Sequence, residues 1–404
     1  MTDTAVPYEG VLTSDNVSFR WMKNLLVGLT LIFLASIFFS IAVNSLALGM
    51  MAIVWTGLMV AEKRWVVRRT ALDFYFLAWV LAELVSTVLS ENTSQSLLFS
   101  KRLLLIGIAY LFATEAVDLR FAQQCVAVLL GAATAAAAYG AARYFIAPET
   151  IVRLGIFQIY MTTSTLMVMA GLMLVPFIIH PGTPEKVRWF AGIALIPVVL
   201  ALYATVTRGG YLAFTAGILF IALVRNKRLV IAFLIIIVVV IVFAPPYVVS
   251  RIQSIVDLDH PENLTRIAMW KTGLRIFADH PFFGIGDIDV HEAYLRYKDA
   301  DDPAQIGHLH NVVMQVLVNL GIVGLLVVLA LFVRIFVTEW RIYRRVKDSW
   351  FAGSVVLGAL ALFVGFQVNG LVEWSFGDQE VVIMLWVSAG LALAMGRNGQ
   401  TKGV

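Results

Sequence analysis

The sequence predicts an all-α polytopic membrane protein of about twelve transmembrane helices, and three observations carry that expectation. Apolar residues make up 60% of the 404 positions and charged residues 14%, with a mean hydropathy of +0.86. One soluble core of this length needs far less apolar surface. The apolar residues gather in long runs, and Lys and Arg gather in alternate gaps between them.

A bilayer core about 30 Å thick needs roughly 20 predominantly apolar residues per helical span, and as few as about 17 suffice. Twelve such runs occur, at 25–41, 45–61, 71–89, 97–116, 121–145, 156–179, 189–206, 209–224, 229–243, 309–333, 351–371 and 381–395. The first follows a polar head and leads at once into the second, so no cleaved leader is expected. The whole chain, 1–404, reads as one integral membrane domain. The single Cys125 lies in an apolar run, which leaves neither a disulfide framework nor a cysteine-rich metal site. A net charge of +4 is small for this length, and no nucleic-acid partner is expected.

Orientation follows from the basic clusters. Lys63, Arg64, Arg68 and Arg69 follow the second span, Arg225, Lys227 and Arg228 the eighth, and Arg334, Arg341, Arg344, Arg345 and Lys347 the tenth. The positive-inside rule puts these connections, and both termini, in the cytoplasm. The odd connections then face outward, including the turn at Thr207 and Arg208 and the long segment 244–308 between spans nine and ten. A connection so much longer than its neighbours is usually functional or disordered. Disorder fits poorly, because Leu264, Ile267, Ala268, Trp270, Leu274 and Phe277 recur at helical spacing over 263–278, as in a helix lying on the membrane surface. The following stretch, with Pro281, Gly284 and Gly286, reads as a helix stop and tight turn.

On this topology Arg208, Arg266 and His310 share the outer side. A guanidinium offers a planar fork of donors suited to phosphate oxygens, so two arginines suit a diphosphate. An imidazole with an ordinary pKa of about 6.5 can take a proton from an attacking hydroxyl near neutrality. The trio points to transfer from a diphosphate leaving group. Each residue also has a plainer reading. A boundary arginine can anchor a helix in lipid head groups, Arg266 can lie on a solvated face, and His310 can cap the tenth span. Gly209 and Gly210 favour the functional reading for Arg208, since a plain anchor needs no close backbone approach. Lys101, Arg102, Arg143 and Arg153 are secondary candidates for lipid phosphate, and Lys101 and Arg102 lie within an apolar span, where unpaired charge is costly.

A divalent site could be assembled from His308 and His310 with Asp287, Asp289, Asp299, Asp301 and Asp302. On a helix, however, two histidines two positions apart diverge by about 200°, and acidic loop residues are usually solvated. No metal is expected, since arginines can neutralise a diphosphate without one.

His310 and Asn311, nine intervening residues, then Gly321 and Gly324 match the pattern of the O-antigen ligase family of Gram-negative bacteria, which the chain resembles. That family lies in a superfamily with O-antigen polymerases and protein O-oligosaccharyltransferases. Where the pattern commonly continues with Thr, this chain has Leu325. Arg208 with Leu212 resembles the family's Arg-x-x-x-Leu in an outer turn, and Arg266 with Trp270 and the glycines at 284 and 286 resembles the superfamily's Arg, Trp and Gly-x-Gly segment.

The resemblance implies a glycosyltransferase type C like fold with amphipathic helices in the 244–308 periplasmic loop. It implies transfer of O-antigen polysaccharide from undecaprenyl diphosphate to the lipid A core oligosaccharide, at the periplasmic face of the bacterial inner membrane. Arg208 and Arg266 would bind the diphosphate and His310 would serve as general base in an inverting displacement without metal or cofactor. Trp270, His308 and Asn311 join the secondary substrate-binding candidates, and membrane lipids are the remaining partners. An O-antigen polymerase, which uses a second undecaprenyl-linked glycan as acceptor, shares this chemistry. Protein O-oligosaccharyltransferases commonly carry an added soluble region, which this sequence lacks after its last span. A transporter or flippase would show ionisable groups near the bilayer midplane, and only Asp73, Glu83 and Gln367 stand out in that respect.

Overall fold

The computed structural model describes residues 10–13, 17–147, 151–243, 250, 253, 254, 257–300, 302 and 306–398. All regular structure among them is helical. In chain order the helices are α1 (Arg20–Ser36), α2 (Ile41–Ala61), α3 (Asp73–Leu89), α4 (Thr93–Phe99), α5 (Ile106–Glu115), α6 (Leu119–Ile146), α7 (Tyr160–Ile179), α8 (Glu185–Ala204), α9 (Arg208–Arg225) and α10 (Lys227–Phe243). The outer segment adds α11 (Pro261–Asp279) and α12 (His291–Tyr297), and α13 (Val312–Val346), α14 (Trp350–Gly370) and α15 (Gln379–Asn398) complete the bundle.

Nine of the helical stretches among the described residues are long and apolar enough to cross a membrane. The remaining expected runs coincide with α1, α3 and α10, each of 17 residues. One crossing, 93–115, is composite: α4 and α5 are joined by a tighter 3-10 turn over Ser100–Leu105 that carries Lys101 and Arg102. The expected span at 309–333 differs most. It starts at Val312 and continues as helix to Val346, so Arg334, Arg341, Arg344 and Arg345 lie on a helix rather than in a connection.

Short polar side chains set several helix starts. Ser40, Asn92, Asp118, Asn311 and Ser349 each accept a hydrogen bond from a backbone N–H of the first turn they precede, satisfying donors that have no partner within the helix. The core sits where α3, α13, α14 and α15 meet. Trp79 stacks on Phe376 with ring centroids 5.3 Å apart and lies 6.1 Å from Trp386, and Phe332 meets Phe376 edge-on at 5.3 Å.

Contacts between connections define two ends of the bundle. At one, Gln158 reaches the carbonyl of Ile37 at 3.2 Å, and Ser90 and Ser96 bond the backbone of Ile285 and Asp287. At the other, Lys23 pairs with Glu62 at 3.1 Å, His180 meets the Lys347 carbonyl at 3.0 Å, and Arg397 donates to the Ala113 carbonyl at 2.7 Å. The odd connections thus share one end. The even connections share the other with the chain's described extremities.

The outer segment is folded onto the bundle. Helix α11 begins at Pro261, whose missing N–H costs nothing at a first helical position, and runs over the stretch expected to be helical. Its buried face differs from the expected one: Met269, Thr272, Gly273 and Ile276 face inward, while Leu264 and Leu274 are exposed. The inward face packs on α12 and α13, so the helix is a structural layer as well as a surface element.

The turn after α11 enters α13. At Gly321 the helix breaks, with φ 65° and ψ −169°. On the loop's side, Pro281 O accepts from Ile322 N at 2.9 Å and Phe282 O from Val323 N at 3.2 Å. In return Ile285 N donates to Val318 O at 3.0 Å and Gly286 N to Asn319 O at 2.9 Å. Backbone groups freed by the break are therefore paired by the loop, as groups away from water must be. A Cβ at position 321 would lie 2.3 Å from the Phe282 carbonyl. Gly321, one of the two glycines of the matched pattern, is thus the point at which the helix is opened.

Gly321→Ala should therefore destabilise the fold by about 2–4 kcal/mol, from left-handed backbone strain plus the backbone clash. Thermal unfolding in detergent measures this. Gly131→Ala on α6, where an added Cβ meets nothing within 4 Å, should be neutral or stabilising by up to about 1 kcal/mol.

Candidate active site

Five separate parts of the sequence converge on a cleft of about 250 Å³ at the end of the bundle that carries the odd connections. Tyr160 and Ser164 of α7, Arg208, Gly209 and Gly210 of α9, Arg266 of α11, and His310 and Glu373 line it, together with Arg153 and Glu262.

Arg208 opens α9 two residues after Val206, a β-branched residue at φ 52°. Such a conformation costs on the order of 1–3 kcal/mol and persists only where the surroundings enforce it. The two glycines that follow are sterically required. A Cβ on Gly209 would lie 2.8 Å from Val372, and one on Gly210 2.0 Å from the Ser164 hydroxyl. Arg208 itself is buried, donating from Nη1 to the Ser254 carbonyl at 2.6 Å and from Nη2 to Glu262 at 2.7 Å.

Glu262, in the first turn of α11, bridges two guanidiniums, because Arg153 Nη2 pairs with its other oxygen at 3.0 Å. Arg153 also lies 5.0 Å above the Tyr160 ring. One helical turn further on, half-buried Arg266 lines the same cleft, and among the described residues it has no hydrogen-bond or ion-pair partner. Three guanidiniums thus face two carboxylates, Glu262 and Glu373, and the cleft is cationic by one charge with its histidine neutral. The N-terminus of α9 adds backbone N–H groups that have no intrahelical partner.

His310 does not cap α13. Asn311 does, accepting from Met314 N at 2.9 Å and donating to the Leu371 carbonyl at 2.8 Å. His310 precedes it at φ 48°, a left-handed conformation uncommon outside glycine. Its Nδ1 lies 3.1 Å and 3.3 Å from the two oxygens of Glu373. Burial alone would push the Glu373 carboxyl up, but the hydrogen bond and the charges of His310 and His308 outweigh it and hold the group below the usual glutamate range. An ionised carboxylate can only accept, so Nδ1 is the nitrogen that carries the proton towards Glu373, and in the neutral ring Nε2 keeps its lone pair.

His308 was expected to diverge from His310. The 307–310 stretch is not helical, and the two rings meet edge to face with centroids 4.2 Å apart. One ligand atom each of His308, His310 and Glu373 lies within 4.8 Å of the others, a spacing open to a metal ion. The acidic residues first considered for such a site are engaged elsewhere. Asp287 pairs with Arg102 at 3.1 Å and accepts from Asn319 at 3.0 Å, Asp289 accepts from His291 N, Asp299 pairs with Arg275 at 2.8 Å, and Asp302 bonds the Tyr294 hydroxyl. Asp301 lies outside the described residues.

The secondary candidates divide. Arg153 belongs to the cleft. Lys101, Arg102 and His308 line a second, larger cavity beside it. Arg102 also contacts Glu83 at 3.6 Å and lies 5.6 Å from the Trp374 ring, so its charge within an apolar span is compensated. Trp270 donates its indole N–H to the Leu309 carbonyl at 3.1 Å, which places it behind His310 as support. Arg143 is exposed, lies over Tyr139 and lines neither cavity. Of the polar residues that suggested a transporter, Asp73 is tied to Thr70 and Tyr110, Glu83 pairs with Arg102, and Gln367 lines a small apolar cavity beside Val312.

Glu262 and Glu373 did not emerge from the sequence. Both lie in connections between expected spans, where an acidic side chain ordinarily means solvation, and only the fold brings them against the basic residues. Residues 193–329 match the family model described as O-antigen ligase. The match spans Arg208, Arg266, His310, Gly321 and Gly324, so this stretch is similar to a family whose members are glycosyltransferase-like enzymes acting on lipid-linked glycans. No curated protein matches the chain.

Burial, and then the charge of His310, hold the His308 imidazole below the ordinary histidine value. Its neutral form is thus favoured by folding, and the unfolded chain binds more protons as pH falls through about 6.5. Stability from this residue is present above that pH and lost below it. The melting temperature of His308→Gln should consequently fall less between pH 7 and pH 5 than that of the unsubstituted protein.

Proposed function

We propose that the chain is an O-antigen ligase. It transfers a polysaccharide from undecaprenyl diphosphate to a sugar hydroxyl of the lipid A core, at the periplasmic face of a twelve-span inner-membrane bundle whose termini are cytoplasmic. The observation that carries this reading is the convergence of Arg208, Arg266 and His310 on one cationic cleft from three segments far apart in sequence. The alternation of basic connections supports the orientation.

In this reading Arg266 and the N-terminus of α9 take the diphosphate oxygens, with Arg208 and Arg153 held in register by Glu262. His310 Nε2 removes the acceptor proton while Glu373 fixes the ring through Nδ1 and steadies the charge that forms, the role a carboxylate plays behind a histidine base. The acceptor oxygen bonds to the anomeric carbon as the carbon–oxygen bond to phosphate breaks. The diphosphate leaves with that electron pair, and the anomeric centre inverts. The bond broken is already activated, so no nucleotide is needed.

Incubation with undecaprenyl-diphosphate glycan and either lipid A core or a second lipid-linked glycan tests the reaction. Product from the second pair alone would make the protein a polymerase. Arg208→Lys and Arg266→Lys should both be damaging, since each keeps a charge and loses the two-point fork. His310→Ala should slow transfer about 10²- to 10⁴-fold with donor affinity nearly unchanged, the usual range for a positioned base. Glu373→Gln should lower the rate in the same direction. Activity should survive exhaustive chelation. Loss with EDTA and recovery with Mg²⁺ or Mn²⁺ would turn His308, His310 and Glu373 into metal ligands and displace the base mechanism.

A further inference from the structure

Beside the cationic cleft lies a second cavity of about 900 Å³, between α2 and the composite crossing 93–115. The two cavities adjoin at the paired histidines: His308 lines the larger, while His310 and Glu373 line the smaller. Two features distinguish the larger cavity from the cleft.

The first is its long apolar stem. Leu48, Met51 and Trp55 of α2 face Ile108 and Leu111 of α5 across it. Helix α2 packs chiefly against α1, so its opposite side borders open space at membrane depth rather than another helix. The second is the character of the outer end. Asp287, Asp289 and Asp378 there outnumber Lys101 and Arg102, three carboxylates against two cations. Arg102 is already committed to Glu83 and Asp287. Gln315, Asn319 and Trp374 complete this end. A diphosphate would meet net negative charge here, whereas in the cleft it meets net positive charge. Sugar hydroxyls, by contrast, donate to carboxylates and amide oxygens, and the apolar stem suits a hydrocarbon anchor.

We infer that this cavity seats the acceptor as a membrane-anchored glycolipid, with its anchor along α2 and α5 and its sugar hydroxyl directed to the His308–His310 wall. The inference rests on the transfer reading above and adds where each substrate lies. Donor diphosphate and acceptor hydroxyl then reach the histidines from different cavities, which separates nucleophile from leaving group as an inverting displacement requires. His308, on the acceptor's side of the wall, is a positioning residue for His310.

Two glycines allow the cavity to be filled without disturbing the helices. Gly49 of α2 and Gly107 of α5 line it, and an added Cβ at either position meets nothing within 4 Å. Binding of lipid A core oligosaccharide and of undecaprenyl diphosphate would be measured separately on the full chain in phosphatidylcholine nanodiscs. Gly49→Trp and Gly107→Trp should each weaken the glycolipid by about tenfold or more and leave undecaprenyl diphosphate within about twofold. Gly131→Ala on α6, which lines neither cavity, should behave as the unsubstituted protein. Arg266→Ala should show the reverse selectivity, losing the diphosphate and keeping the glycolipid. If the tryptophans weaken undecaprenyl diphosphate instead, or neither probe, the assignment is overturned. Selective binding without any transfer by the unsubstituted protein would sink the ligase reading while leaving the glycolipid seat in place.

Discussion

The insertion of the 281–286 turn into the opened backbone of α13 at Gly321 is the constraint on which the rest of the site depends. A transmembrane helix cannot leave carbonyls and N–H groups unpaired, so the break exists only because the loop supplies partners, and the loop is held only because the break exposes them. Four backbone hydrogen bonds tie the two together. The joint thereby ties α11, which carries Arg266, to α13, whose start His310 precedes. Asn319 reinforces the joint, since its carbonyl also accepts from Ser86 and its amide reaches Asp287.

Around that joint the charges are arranged in two groups of opposite balance. Glu262 holds Arg153 and Arg208 side by side, which would otherwise repel at close range, and so keeps a cationic cleft folded without ligand. Glu373 orients His310. Across the histidine wall, Asp287 and Glu83 more than neutralise Arg102. Of the three non-glycine residues at positive φ among the described residues, Val206 and His310 stand at the cleft, one just before the Arg208 turn and the other carrying the imidazole. Strain of this kind tends to be kept where a side chain must be aimed, and here the anchors that hold it are the packed glycines of α9 and the Asn311 cap.

Hydropathy made the bundle legible, because a bilayer imposes one length and one polarity on every crossing. It was least informative where other interactions override that rule. The 3-10 turn at 100–105 carries Lys101 and Arg102 within a crossing, and α13 continues to Val346 on polar as well as apolar residues. The apolar face of α11 was misjudged because its buried side includes Thr272 and Gly273, whose small size lets α13 approach; a Cβ on Gly273 would lie 2.9 Å from Leu309.

By itself the sequence determined the helical class, the alternation of basic connections, and the three basic residues to watch, since residue type and spacing along one chain suffice for each. Tertiary structure decided which carboxylates those residues meet. Glu262 and Glu373 resemble solvated loop acids until α11 and the end of α14 bring them to Arg208 and His310. It also decided that His308 lies against His310 rather than apart from it, because the chain there is not helical and His310 itself takes a left-handed conformation. Such long-range electrostatic partners depend on where separate helices end relative to one another. That is fixed by packing and by the broken helix at Gly321, and no local pattern encodes it.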